Sequence, residues 1–74
     1  MPNKAVPGLP VVKVSARGIA RVKAGHVWIY RSDVTNATDV QPGALVSVTD
    51  ERGRPLGSAL YSSASQIAIR MLSS

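Results

Sequence analysis

The chain has 74 residues, of which 45% are hydrophobic and 18% are charged, so it can form one small domain but not a nucleotide-binding sheet plus a substrate domain. It contains no cysteine, which excludes disulfides, thiolate zinc sites and cysteine nucleophiles and favours a cytoplasmic protein. Nine Lys and Arg residues against four Asp and Glu give a formal charge of +5, which favours a polyanionic partner. Neither a signal peptide nor a membrane-spanning segment is predicted.

The N-terminal part of the chain is predicted to contain a flexible lead-in followed by a strand. Residues 1–10 include three prolines and show no periodic pattern, which is typical of a mobile segment. The β-branched run over residues 11–15 predicts a short strand. Because side chains alternate along a strand, Val12 and Val14 are expected on its buried face.

A short helix is predicted over residues 16–24. Ser15 is a suitable N-cap, and Gly25 stands where a left-handed residue usually ends a helix. At 100° per residue, Ile19 and Val22 share one face, by which the helix is expected to dock on the core.

The outward face of this helix carries the clearest concentration of positive charge. Arg17 and Arg21 are four residues apart and lie together, Lys23 flanks them, and His26 follows in the next loop. Arg70 adds a further cation in the last predicted strand. This cationic surface is the candidate ligand site, although surface arginines also serve only to solvate a helix.

Residues 27–34 are predicted to form a second strand, because they are rich in β-branched and aromatic side chains. The chain has no Phe, so Trp28, Tyr30 and Tyr61 are expected to be the main aromatic side chains of the core, with base stacking as the alternative role.

The remaining sequence predicts three more strands. An irregular segment over 35–42 ends in a turn, and a polar loop over 50–54 joins two antiparallel neighbours, with Gly53 at a positive φ. After a loop over 62–66 the last strand follows. The three strands cover residues 44–49, 55–61 and 67–72.

These elements predict a mainly β, small α+β fold, a barrel-like sheet of about five to six short strands with one short helix after the first strand. Five short strands cannot fill two sheets, and an open sheet of this size would expose its edges. A small curled barrel with the helix closing one end is therefore expected.

The sequence offers no constellation for catalysis. His26 is its one imidazole, and four scattered carboxylates supply no metal-ligand set, so neither a catalytic residue nor a metal is expected. Asp50 and Glu51 are adjacent but lie in a predicted loop, where they favour the turn. No glycine-rich phosphate loop connects a strand to a helix.

Three segments resemble the PUA domain, a small RNA-binding pseudo-barrel, in the form found at the N-terminus of S-adenosylmethionine-dependent ribosomal RNA cytosine-5 methyltransferases. The first is similar to the family's Gly-His-Pro-Trp-Val-Tyr run, with Val27 in place of proline. The second resembles Gly-Asp-Leu-Val-x-Val-x-Asp. The third, the most specific, resembles Gly-x-x-Leu-Gly-x-Gly-x-Tyr and then Ser-x-Ile-x-x-Arg. In this chain the first segment is residues 25–31, the second is residues 43–50, and the third is residues 53–61 followed by 65–70.

The resemblance implies a PUA-like RNA-binding domain over residues 11–72. It implies that the methyltransferase domain, which holds S-adenosylmethionine, lies downstream and is absent from this chain, so that the chain alone is not an enzyme and binds no cofactor. The expected partners are RNA, specifically ribosomal RNA, and the protein's own C-terminal methyltransferase domain. The RNA-contacting residues implied by the resemblance are those of the cationic surface: Arg17, Arg21, Lys23, Gly25, His26 and Arg70.

Two alternatives remain open. The barrel could be an interdomain scaffold with little RNA contact, which an exposed apolar patch beside Met71 and Leu72 would support. It could also be a stand-alone translation or ribosome accessory protein, favoured by the basic charge and Met1. The chain stops directly after a strong strand, which favours an N-terminal fragment over that second alternative.

Overall fold

The computed structural model describes residues 8–37, 40–62 and 66–73. This part of the chain forms one α-helix and six strands, which confirms the predicted mainly β architecture with a helix after the first strand. The predicted lead-in falls largely on residues 1–7, outside the described residues, as do residues 63–65 of the predicted last loop. The elements are β1 (Val11–Val14), α1 (Ala16–Lys23), β2 (Trp28–Tyr30), β3 (Val34–Asn36), β4 (Leu45–Thr49), β5 (Pro55–Tyr61) and β6 (Ile67–Met71).

The strands form one curled sheet in the order β2-β6-β5-β4-β1-β3. β1 and β4 are parallel, and the other neighbouring pairs are antiparallel. β2 and β3 follow each other in sequence but lie at opposite edges of the sheet. The short connection between them therefore spans from edge to edge and curls the sheet into a half-barrel.

The prediction of one strand over residues 27–34 was wrong, because a 3₁₀ turn at Arg31–Asp33 divides it. The backbone N–H of Arg31 donates to the carbonyl of Gln66 at 2.8 Å, beside β6. Two residues later the carbonyl of Asp33 accepts from the N–H of Ser15 at 2.8 Å, beside β1. The backbone thus leaves one edge of the sheet and joins the other edge. Residues 34–36 form β3, whereas the sequence predicted an irregular segment from residue 35.

The core lies inside the curl of the sheet. Val12 and Val14 are fully buried, as predicted, and so is most of Tyr61. Tyr30, however, is 37% exposed, and Trp28 is only half-buried, so the expectation that both belong to the core was wrong for Tyr30 and only partly met by Trp28. Side chains alternate along a strand, and Ile29 takes the inward position of β2. The buried apolar side chains are Val12, Val14, Ile29, Val46, Val48, Leu56, Ala59, Tyr61, Ala68, Ile69 and Met71.

α1 is only eight residues long, and the described chain includes no helix with the length and apolar character that a bilayer crossing demands.

Candidate nucleic-acid interface

The start of α1 is fixed by Ser15, as predicted. Its hydroxyl accepts a hydrogen bond from the N–H of Gly18 at 3.3 Å, which is an N-cap. The same hydroxyl donates to the buried carboxylate of Asp33 at 3.1 Å. Ile19 and Val22 pack against the core from this helix. The helix is therefore held both by its apolar face and by hydrogen bonds to the 3₁₀ turn.

The end of α1 is a Schellman motif, which joins three of the predicted site residues. The N–H of Gly25 donates to the carbonyl of Val22 at 3.0 Å, and the N–H of His26 donates to the carbonyl of Arg21 at 3.1 Å. Gly25 has a φ of 106°, which confirms the predicted left-handed conformation and explains the glycine. Arg21, Gly25 and His26 are thus linked through the backbone.

Two aromatic side chains of β2 lie beside these residues. The ring of His26 meets the ring of Trp28 edge-on, with centroids 5.6 Å apart and planes at 72°. The Cζ atom of Arg21 lies 5.1 Å from the centroid of the Tyr30 ring, which is a cation–π contact. The sequence prediction assigned neither aromatic residue to the site. The alternation of side chains along a strand could have predicted them, because Trp28 and Tyr30 flank Ile29 and point outward when Ile29 points inward.

Arg70 lies on the same side of the sheet as Trp28. The two residues are cross-strand partners in the β2–β6 pair, and directly opposed side chains lie on one face of a sheet. Arg70 is exposed, as is Arg17, which precedes Arg21 by one helical turn and shares its flank. We call this surface the α1–β2–β6 face; it comprises Arg17, Arg21, Gly25, His26, Trp28, Tyr30 and Arg70.

Lys23 is not brought together with the α1–β2–β6 face. At 3.6 residues per turn it points about 160° away from Arg21 around the helix axis. It lines a groove of about 310 Å³ between α1 and the β4–β5 loop. The lining of the groove also includes Ile19, Glu51 and Arg52. Of the six residues predicted from sequence, five therefore form one surface and Lys23 lies on the opposite flank.

The β4–β5 loop is organised by Asp50, as predicted for a turn-forming carboxylate. Its side chain accepts the backbone N–H groups of Arg52 and Arg54, each at 2.9 Å, and pairs with Nε of Arg54 at 2.7 Å. The N–H of Arg54, followed by the Arg54 side chain and the N–H of Arg52, lowers the pKa of Asp50, while desolvation opposes them. Gly53 has a φ of 86°, as expected.

Comparison with known proteins gives the family. The family of PUA-like domains matches residues 12–74. The chain belongs to this family. The fold of the PUA-like domain is similar to part of NSun6 from Pyrococcus horikoshii, with a TM-score of 0.77 over 97% of this chain and 21% sequence identity. The domain spans 21% of the length of the NSun6 chain. A search of curated proteins finds no match.

The α1–β2–β6 face of the PUA-like domain combines cations with planar aromatic rings. Within residues 8–37, 40–62 and 66–73, no group of three or more His, Asp or Glu side chains is placed to hold a metal ion. Guanidinium groups can bind phosphate through two parallel hydrogen bonds and can stack on planar rings. Exposed aromatic rings stack on bases. This chemistry is suited to binding nucleic acid.

Proposed function

We propose that this PUA-like domain binds structured RNA through its α1–β2–β6 face. The observation that carries the proposal is that Arg17, Arg21 and Arg70 lie on one surface and form no salt bridge with a carboxylate among the described residues, whereas Arg54 is paired with Asp50 on the opposite flank. Arginines without a carboxylate partner retain donors for phosphate oxygens. The membership of the family supports the same ligand.

The proposed binding mode is electrostatic docking to backbone phosphates together with recognition of RNA shape. Phosphate contacts position a protein without reading sequence, so the choice of target nucleotide falls to another domain. Structured RNA differs from DNA in its A-form grooves and 2′-hydroxyl groups. The domain is therefore expected to prefer structured RNA over duplex DNA of equal charge.

The proposed context is a cytoplasmic S-adenosylmethionine-dependent methyltransferase that modifies ribosomal RNA and of which this domain is the N-terminal part. The resemblance of residues 25–31 and 53–61 supports this context. S-adenosylmethionine would bind the catalytic domain, because β1 leads into α1 through Ser15 and not through the glycine-rich turn that cradles a nucleotide cofactor. In this context the domain supplies binding and orientation, and the absent domain supplies the chemistry.

The test is a fluorescence-anisotropy titration of the domain with a structured ribosomal RNA fragment and with duplex DNA of equal length, at two salt concentrations. The variant Arg17→Ala/Arg21→Ala removes two charges from the α1–β2–β6 face. The matched control Lys13→Ala/Arg52→Ala removes two charges from β1 and the β4–β5 loop, away from this face.

RNA is expected to bind more tightly than DNA. The Arg17→Ala/Arg21→Ala variant is expected to weaken binding and to flatten the slope of log K against log salt by about 0.7 to 0.9 for each phosphate that is no longer neutralised, whereas the control keeps most of the affinity. An equal decrease of affinity in both variants would show that only net charge matters and would contradict the proposed face.

A second candidate function, docking to a neighbouring domain of the same protein, is favoured by an apolar patch. Val27 is 49% exposed and Leu72 is 56% exposed. Together with Val22 and Met71 they line a groove of about 180 Å³ beside the end of β6, and grouped exposed apolar side chains commonly mark interaction surfaces. Isothermal titration calorimetry with a separately produced methyltransferase domain tests this candidate; Val27→Ser/Leu72→Ser is expected to abolish the association if the patch is the contact.

A further inference from the structure

Tyr30 places an aromatic ring at the edge of the sheet, outside the core. It is 37% exposed, and β2 is an edge strand of the sheet. Part of the ring surface is therefore open to solvent. Burial of the ring in the core would have contributed more to stability, so core packing does not account for its position.

Arg21 completes the surroundings of the Tyr30 ring. Its guanidinium carbon lies 5.1 Å from the ring centroid, and the residue is half-buried. Its Nε atom is buried and has no hydrogen-bond partner within the described part of the chain. A buried donor without an acceptor is costly, so the guanidinium is held by the ring contact and not by a hydrogen bond at Nε.

Building on the proposed RNA binding, we infer that Tyr30 and Arg21 form a stacking platform for one unpaired base. Arg17 lies one helical turn before Arg21 on α1, and Arg70 lies on β6 opposite Trp28, two residues before Tyr30 on β2. Both are proposed to contact the phosphates that flank the base. A base within a continuous duplex is stacked on its neighbours and cannot also stack on a side chain. The ligand class is therefore RNA with an unpaired nucleotide beside a helix, and not fully paired RNA.

The test uses two RNAs of equal length and charge, a hairpin with unpaired loop nucleotides and a fully paired duplex. Anisotropy titrations compare the wild-type domain with Tyr30→Ala, which removes the ring, and with Tyr30→Phe, which keeps the ring and removes only the hydroxyl. Circular dichroism and thermal unfolding of each variant establish that the exposed position tolerates the change.

The hairpin is expected to bind Tyr30→Ala about 5- to 150-fold more weakly than wild type, the range for removal of one base–aromatic stack. Tyr30→Phe is expected to stay within about twofold of wild type, as is the duplex with either variant. A hairpin carrying abasic loop nucleotides is expected to bind wild type as weakly as the normal hairpin binds Tyr30→Ala.

Two results would overturn the inference, and they differ from each other. Should wild type bind the hairpin with the expected salt dependence while Tyr30→Ala binds it equally well, the stacking platform is wrong and the RNA-binding proposal stands. Should wild type bind neither RNA better than duplex DNA, the RNA-binding proposal fails and the platform fails with it.

Discussion

Gly18 is the position at which helix propensity and packing give opposite predictions for a substitution by alanine. Propensity alone favours Gly18→Ala by about 1 kcal/mol in a helix interior. A Cβ at this position, however, would lie 3.2 Å from the Cβ of Asp33, 3.4 Å from Cγ2 of Ile29 and 3.5 Å from the Cβ of Val14. The first distance is shorter than ordinary van der Waals contact and the second is at its lower limit, so Asp33 would have to move by a few tenths of an ångström.

None of these neighbours can move freely. Val14 and Ile29 are fully buried. Asp33 accepts hydrogen bonds from Ser15 at both its backbone carbonyl and its side-chain carboxylate. Overpacking of a closed core costs about 1–3 kcal/mol, and three fixed neighbours place Gly18 in the upper half of that range. After the propensity gain is subtracted, Gly18→Ala is expected to lower the free energy of unfolding by about 1–2 kcal/mol.

Urea denaturation followed by the fluorescence of Trp28, the single tryptophan, measures this change, and for a domain of this size the expected decrease corresponds to a fall in Tm of about 4–16 °C. Ala20→Gly is the matched control, because Ala20 is exposed on the same helix and should show only the propensity difference of about 1 kcal/mol. A rise in stability of Gly18→Ala by about 1 kcal/mol would refute the packing argument.

Two further predictions concern the helix end and the hairpin loop. Gly25→Ala is expected to lower the unfolding free energy by about 1–2 kcal/mol, because the left-handed backbone at this position disfavours a Cβ, whereas Gly25→Asn should lower it less; equal decreases in thermal unfolding would argue against the backbone explanation. In an NMR pH titration the pKa of the Asp50 carboxyl is expected to lie below the ordinary value of an aspartate, since the hydrogen bonds in the folded loop lower it. Its contribution to stability is therefore present above the unfolded pKa and is lost as the pH falls through the folded pKa. Arg54→Gln is expected to make the lowering smaller, because the side-chain hydrogen bond and charge of Arg54 are lost while the backbone N–H groups of residues 52 and 54 remain. A carboxyl that titrates at its ordinary value in wild type would contradict the loop geometry.

Signals that act over a few residues were predictable from the sequence. Ser15 and Gly25 cap α1 through hydrogen bonds to residues three to four positions away, so the local sequence contains what determines them. The same holds for the turn at Gly53. The positions of Arg17 and Arg21 on one flank of the helix follow from helical periodicity.

Features that depend on distant partners were not predictable in this way. The strand expected over residues 27–34 is interrupted because the backbone of Arg31 is hydrogen-bonded to Gln66 and that of Asp33 to Ser15. Both partners are far away in sequence. The outward position of Tyr30 follows from the burial of Ile29, and an expectation based on the scarcity of aromatic residues assigned Tyr30 to the core.

The position of Lys23 was predictable only in part. Helical periodicity already separates it from Arg21. Only the fold shows that the β4–β5 loop, with its Asp50–Arg54 pair, lies beside Lys23. Compared with the sequence prediction, the α1–β2–β6 face thus includes two additional aromatic residues and excludes one lysine.

The most direct test of the central claim, that RNA binds the α1–β2–β6 face, is an NMR titration of the ¹⁵N-labelled domain with the RNA hairpin. The backbone amides of Arg21, Gly25, Tyr30 and Arg70 are expected to shift together on addition of RNA, while that of Gly53, in the loop on the opposite flank, stays in place. Shifts centred on Gly53, with the amides of the α1–β2–β6 face unchanged, would contradict the account.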